Sequence, residues 1–326
     1  MTSEQEVRDT VEVFGQLQTA IGQVIVGHRS VVQGALIALL CRGNVLLEGV
    51  PGLGKTLLVR TLASSVGLTF SRIQFTPDLM PADIIGTDIL TEVDGKRSFS
   101  FDRGPLFANI VLADEVNRAT PKTQSALLEA MEERTVSVRS NTYPLEEPYI
   151  VLATQNPIEM EGTYPLPEAQ VDRFMLKITV PYPTLDEVSR ITELNTEGEG
   201  IVLPKPVATA ENILVARRVV REIPVADSLR DYASRLVMAT HPHEASAPQR
   251  VREYIEYGAS PRAAIALVMS AKAHAFLDGE PNVRPSDIDA MLEQVLIHRI
   301  ILNFRGEAEG VTVSNLLDDI RQKVTV

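Results

Sequence analysis

The chain has 326 residues, with 31 Lys and Arg against 43 Asp and Glu, a formal net charge of −12. At roughly 150 residues per domain this length suggests two domains. A composition of 44% hydrophobic and 23% charged residues excludes the disordered, collagen-like and disulfide-scaffold classes. The acidic excess is shared by both halves, 15 basic against 22 acidic residues in 1–182 and 16 against 21 in 183–326. Neither half therefore reads as a nucleic-acid clamp, which needs clustered Lys and Arg. A single cysteine, Cys41, leaves no intrachain disulfide and fits a reducing compartment. The longest apolar stretch, Val31–Cys41, is too short to cross a bilayer. The N-terminus, MTSEQEVRDT, has no secretory core. A soluble cytoplasmic protein without a membrane segment is the expectation.

In chain order, Val7, Val11, Phe14, Leu17 and Ile21 recur at helical spacing and predict an opening amphipathic helix. A second helix is predicted over Ser30–Leu40. Asn44–Glu48 is a short apolar run between Gly43 and Gly49 and reads as a buried strand, followed by a helix from Thr56 to Ser65 that ends near Gly67. Leu68–Phe75, Ile110–Ala113, Tyr149–Ala153 and Met175–Val180 also have strand character. Thr120–Arg134 is predicted helical, with Thr120 as cap and Pro121 in the first turn. Strands alternating with helices predict an α/β fold with a parallel sheet.

Two inserts read as hairpins: Asp88–Phe101, around Asp94-Gly95, and Thr135–Pro148. Beyond Tyr182 strand character disappears. Segments 184–195, 209–222, 225–240, 260–277 and 284–301 are predicted helices, joined by loops such as 197–200 and 241–248. The boundary between an α/β core (1–182) and an all-α domain (183–326) is placed there.

Gly49-Val50-Pro51-Gly52-Leu53-Gly54-Lys55-Thr56 matches the phosphate-loop pattern G-x-x-x-x-G-K-[ST]. Glycines let the backbone turn its N–H groups around phosphate oxygens, and the following helix N-terminus adds its dipole. Lys55 would reach the β- and γ-phosphates, and the Thr56 hydroxyl would coordinate Mg²⁺. Ile110–Ala113 runs into Asp114-Glu115. At the carboxyl edge of a parallel sheet the first acid can join the Mg²⁺ shell, and the second can orient the attacking water. No Asn-Lys-x-Asp guanine signature is present. Tyr149–Ala153 leads to Asn156, a neutral amide able to bond the γ-phosphate or the water without repelling the anion.

Together these residues resemble an AAA+ ATPase and, more narrowly, the MoxR family. The resemblance rests on GVPGLGKT (49–56), FTPDLMPADIIG (75–86), RGPLFANIVLADEVNRA (103–119), LLEAMEER (127–134), ATQNPIEMEGTYPLPEAQVDRF (153–174) and GASPRA (258–263). It implies an AAA+ P-loop core, a parallel sheet flanked by helices with hairpin inserts, followed by an all-α lid. It makes Asp114 and Glu115 the Walker B pair, Asn156 sensor 1, Arg173 an arginine finger completing a neighbour's site, and Arg262 the sensor-2 arginine. Val26 and Gly27 fall where adenine packs, and Gln74 is a candidate switch restraining Glu115.

The implied cofactors are ATP and Mg²⁺. The implied assembly is a homo-oligomeric ring, a hexamer, acting chaperone-like on a protein client such as one with a von Willebrand factor A domain, or inserting a cofactor or metal. A magnesium-chelatase-type subunit, a DNA-acting AAA+ motor and a nucleotide-gated scaffold are the competing readings. His241 and His243 read as part of a solvated loop rather than a metal site, and Cys41 as a small core or helix-end residue. Arg217, Arg218 and Arg221 read as a solvated or subunit-facing patch.

Overall fold

The computed structural model describes residues 4–93, 96–139, 141–157, 162–196 and 201–326. The Asp94-Gly95 turn and the 197–200 loop lie outside the described residues. The chain opens with α1 (Glu4–Val24) and α2 (Arg29–Leu40), then β1 (Val45–Glu48), α3 (Lys55–Ser65), β2 (Phe70–Gln74) and α4 (Pro81–Ile85). The first hairpin is β3 (Gly86–Val93) with β4 (Lys96–Arg103), longer than its sequence pattern suggests. There follow β5 (Ile110–Asp114), α5 (Pro121–Glu133), a second hairpin of β6 (Thr135–Val138) and β7 (Asn141–Pro144), β8 (Ile150–Gln155), α6 (Glu168–Val171) and β9 (Leu176–Thr179).

The C-terminal part comprises α7 (Leu185–Thr196), α8 (Ala210–Glu222), α9 (Asp227–Met238), α10 (Gln249–Tyr254), β10 (Ile255–Tyr257), α11 (Pro261–Leu277), α12 (Pro285–Leu296), β11 (Ile301–Leu302), α13 (Phe304–Ala308) and α14 (Val313–Lys323). It is not purely helical. The helix predicted over 284–301 stops at Leu296, and β11 pairs antiparallel with β10. The cause is local. The Arg299 N–H tightens onto the Leu296 carbonyl (2.9 Å), and the Arg299 side chain turns back into the protein, so the helix cannot continue. Among the described residues no helix is long and apolar enough to cross a membrane.

The central sheet is parallel in the order β2-β5-β8-β1-β9. The three inner strands β5, β8 and β1 are near-continuous apolar runs because both faces are covered, whereas the edge strands β2 and β9 alternate. Val45, Leu47, Ile110, Leu112, Ile150 and Leu152 face one buried cluster, which continues through α1 and α2 into the lid helices. Leu46, Val111, Ala113, Val151 and Ala153 face the other, formed with α4, α5 and the second hairpin. Phe14 of α1 meets Phe276 of α11 edge-on at 5.3 Å, so the lid shares its core with the N-terminal helices.

Beside the sheet, His298 donates from Nε2 to the Phe174 carbonyl (3.0 Å), while its Nδ1 is buried without a partner among the described residues. Burial, reinforced by the charge of Arg299, pushes its pKa down to about 3. The folded form thus resists a proton that the unfolded form accepts near pH 6.5, so stability is lost as pH falls from about 6.5 toward 3. In urea titrations at pH 7 and pH 5, His298→Gln should remove a pH-dependent loss of up to about 1.4 kcal/mol per pH unit. Equal losses in variant and wild type would contradict this.

Candidate active site

The strand order collects one set of polar residues at the carboxyl edge of the sheet. β1 runs directly into the phosphate loop, and the register pairs Glu48 with Gln155, so Asn156 follows beside Gly49. Gln74 pairs with Asp114 across β2 and β5. Pro51, Gly52, Leu53, Gly54, Lys55, Thr56, Asp114, Glu115 and Asn156 line one cleft of about 240 Å³. Arg72, Gln74 and Thr154 complete its wall. Gly52 and Gly54 adopt φ of 86° and 72°, and a Cβ at either would point into open space. These two positions turn the loop without filling the cradle that an anion would occupy. Gly49 is required for packing instead, since a Cβ there would lie 3.0 Å from Val180 Cβ. Val50 continues the loop between them.

Within the cleft every acid is held by a protein donor. Arg72 donates from Nε and Nη2 to Asp114 Oδ2 (3.1 and 2.7 Å), and from Nη2 to Gln74 Oε1 (2.7 Å). Gln74 Nε2 donates to Glu115 Oε2 (2.7 Å), which also pairs with Arg118 (2.9 Å). The Thr154 hydroxyl donates to Asp114 Oδ1 (2.6 Å) and accepts the Glu115 N–H (2.8 Å). Glu115 stands at φ 57°, a left-handed conformation unusual for a non-glycine residue and enriched at functional sites. Lys55 Nζ donates to the Gly49 carbonyl. Its pKa is lowered by burial, against the opposing pull of Asp114 and Glu115. Asn156 is buried beside these groups.

An apolar cavity of about 130 Å³ adjoins the loop, lined by Val26, Leu53, Leu57, Pro183, Ile191 and Leu194 among others. Gly27 does not line it. It supplies a φ of 70° against which Glu187 packs so closely that a Cβ would meet Oε1 at 2.4 Å.

Arg173 and Arg262 stand elsewhere. Arg173 precedes β9, and Met175 N–H bonds the Asn44 carbonyl just before β1, so Arg173 lies at the amino edge of the sheet. Its Nε pairs with Glu132 (3.0 Å), not with Asp172, the intrachain acid next to it in sequence. Arg262 reaches the same Glu132 (3.5 Å) from the first turn of α11. Glu132 ends α5 at this edge, where Arg134 donates to the carbonyls of Tyr149 and Arg42, ahead of β8 and β1. Arg173, Arg262 and Glu132 line a shared cleft of about 290 Å³. Four residues of β1, at about 3.3 Å each, put about 13 Å between the two edges.

Residues 44–176 match the ATPase family associated with various cellular activities (AAA), and residues 247–320 match the AAA lid domain. YeaC of Bacillus subtilis, an uncharacterised protein, is 42% identical over 98% of this chain and 96% of its own. Chaperone MoxR1 of Mycobacterium tuberculosis is 42% identical over 94% of this chain and 80% of its own, and Protein MoxR of Paracoccus denitrificans 33% over 89% of each. The crystal structure of an ATPase candidate from Cytophaga hutchinsonii superposes with a TM-score of 0.93 at 42% identity, over 99% of this chain and 97% of that one. The chain belongs to the MoxR family of AAA+ ATPases.

The MoxR-type cleft suits a nucleotide with Mg²⁺. The loop cradle is open, and Thr56 and Asp114 offer the hard oxygen donors that this ion prefers. Sequence reasoning missed Arg72, Thr154, Arg118 and Glu132. Arg72 carried a signal, since it lies two residues before Gln74 on the same side of β2, and Thr154 is the penultimate residue of β8, just ahead of Asn156.

Cys41 lines the cleft of Arg173 and Arg262, where it donates to the Met269 carbonyl, and burial pushes its thiol up to about 12. Two other features fall outside both clefts. His241 bonds the Ala259 carbonyl. Arg217 is neither solvated nor subunit-facing: it is buried on Glu147 (2.6 Å) and the Leu39 carbonyl (2.9 Å), because α8 packs on α2.

Thr154→Val keeps the strand's shape but deletes both hydroxyl bonds. It should raise the Mg²⁺ concentration needed for half-maximal turnover about 10–100-fold, the usual cost of losing support behind a metal ligand. A magnesium titration superimposable on wild type would contradict this role.

Proposed function

We propose that this chain hydrolyses ATP at the boundary between identical subunits of a ring and uses the cycle to remodel a protein partner. The observation supporting this reading is the separation of the two clusters. Phosphate loop and acids occupy the carboxyl edge of the sheet, whereas Arg173 and Arg262 converge on Glu132 at the amino edge. A guanidinium at one edge cannot reach a γ-phosphate held at the other within the same protomer. It can reach one presented by an adjacent copy.

On this reading Lys55 and the loop N–H groups grip the phosphates while Val26 and the apolar cavity take the base. Thr56 and Asp114 hold Mg²⁺, which neutralises charge on the β- and γ-phosphates. Asn156 and Glu115 orient the water. Glu115 accepts its proton as the new P–O bond forms and the bond to the ADP oxygen breaks. Gln74 restrains Glu115 until the nucleotide is seated. Arg173 and Arg262 of the adjacent protomer stabilise the charge that spreads over the γ-phosphoryl oxygens, a contribution worth about 10³–10⁵ in turnover for comparable fingers.

Residues 1–182 act as the nucleotide-binding core and 183–326 as the lid. The name of MoxR1 as a chaperone supports remodelling as the output. The hexamer, a client with a von Willebrand factor A domain, and cofactor or metal insertion rest on the family resemblance. A DNA-acting motor is not favoured, because both halves carry an acidic excess and Arg217 of the basic patch noted in the sequence is buried on Glu147.

Arg173→Ala should bind nucleotide with unchanged affinity and lose turnover. Mixed with Lys55→Ala subunits, which cannot fire but carry an intact Arg173, it should regain phosphate release in proportion to the mixed interfaces. Absence of recovery at every mixing ratio would refute completion of the site by a neighbour.

A further inference from the structure

The turn bearing Arg173 is gripped by lid residues to which no chemistry is assigned above. Arg299 follows α12 with its side chain only 3% exposed. Its Nε donates to Asp172 Oδ1 (2.7 Å), its Nη2 to the carbonyls of Phe174 (2.8 Å) and Asp172 (3.3 Å), and its Nη1 to those of Met175 (3.1 Å) and Val295. His298 adds its bond to the Phe174 carbonyl, and Ser260, ahead of α11, bonds the other Asp172 oxygen (3.4 Å). The Ser260 hydroxyl makes this contact instead of capping its own helix.

Burying a guanidinium costs free energy unless its donors are filled, and an apolar side chain would pack such a place at least as stably. Here four of the five bonds go to one short turn, three to its carbonyls and one to the Asp172 carboxylate. The N–H groups of that turn are bonded on the core side, to the carbonyls of Glu168, Gln170, Val171 and Asn44, whereas the carbonyls of Asp172, Phe174 and Met175 are taken by Arg299. The lid therefore holds the acceptor side of the turn.

We propose that Arg299 is a positioning residue for hydrolysis in the adjacent protomer: it locks the Asp172–Met175 turn to α12, so that Arg173 is presented in one orientation and follows any displacement of the lid. The proposal rests on the reading of Arg173 as acting across the subunit boundary. A protomer's lid then sets not its own chemistry but that of the neighbour it faces.

Arg299→Lys keeps the charge but loses the planar fork that spans a carboxylate and several carbonyls. Its nucleotide affinity should match wild type, while turnover per subunit falls about 10²-fold, the scale expected for misplacing a reacting group by about 1 Å. Mixing with Lys55→Ala subunits should restore turnover, because the intact loop of Arg299→Lys then faces a well-held Arg173. Mixing with Arg173→Ala subunits should not.

The Arg173→Ala and Lys55→Ala pair is the control. If that pair fails to recover, the reading of Arg173 is wrong regardless of Arg299. If it recovers while Arg299→Lys turns over like wild type, the positioning role is overturned. It is equally overturned if Arg299→Lys loses nucleotide affinity and is not rescued. Should Arg299→Lys fail to fold, Asp172→Asn, which removes only the carboxylate, must give the same pattern.

Discussion

Everything in this molecule follows from five parallel strands in the order β2-β5-β8-β1-β9. Parallel strands share one polarity, so the residues that end them share one edge and those that begin them share the other. Because β1 lies beside β8, and β5 next, the phosphate loop, Asn156 and the Asp114-Glu115 pair stand side by side. Because β9 is also parallel, the turn before it lies at the far edge with Arg173. The same topology that assembles the phosphate-loop cleft keeps Arg173 away from it.

At the carboxyl edge the polar groups form an interlock. Arg72 occupies the acid expected to face the metal, and Gln74 and Arg118 occupy the acid expected to face the water. On the proposed reading, a Mg²⁺ held by Asp114 would compete with the Arg72 bond, which would couple metal binding to the side chains of β2. The left-handed backbone at Glu115 holds the short turn after it in a conformation that costs about 1–3 kcal/mol at such positions. At the amino edge Glu132 holds Arg173 and Arg262 together in the same manner. Both edges therefore keep their charges paired within the chain until a partner, nucleotide or neighbour, offers something better.

Much of this was legible in the sequence, for identifiable reasons. Buried parallel strands are apolar runs, and 45–48, 110–114 and 150–155 announce themselves as such. The phosphate loop depends on backbone conformation, which glycines betray directly. Hairpin inserts show alternation, though their lengths do not.

What stayed hidden was long-range. Nothing near Glu132 marks it as the common partner of two arginines 41 and 130 residues away. Arg299 sits in a stretch whose helical pattern conceals the break after Leu296, because that break is made by tertiary bonds to Asp172 and Phe174. The lid's small β10-β11 ladder was missed for the same reason. Gly27 shows the limit of a local motif: it shapes the turn beside the base cavity without lining it.

The division of labour between sheet edges is tested most directly by measuring turnover per subunit across a dilution series, with the assembly state followed in parallel by sedimentation. Turnover should rise in step with the fraction of assembled subunits and vanish for the monomer, whose phosphate loop faces neither Arg173 nor Arg262 of a neighbour. A monomer that hydrolyses ATP at the assembled rate would contradict the account.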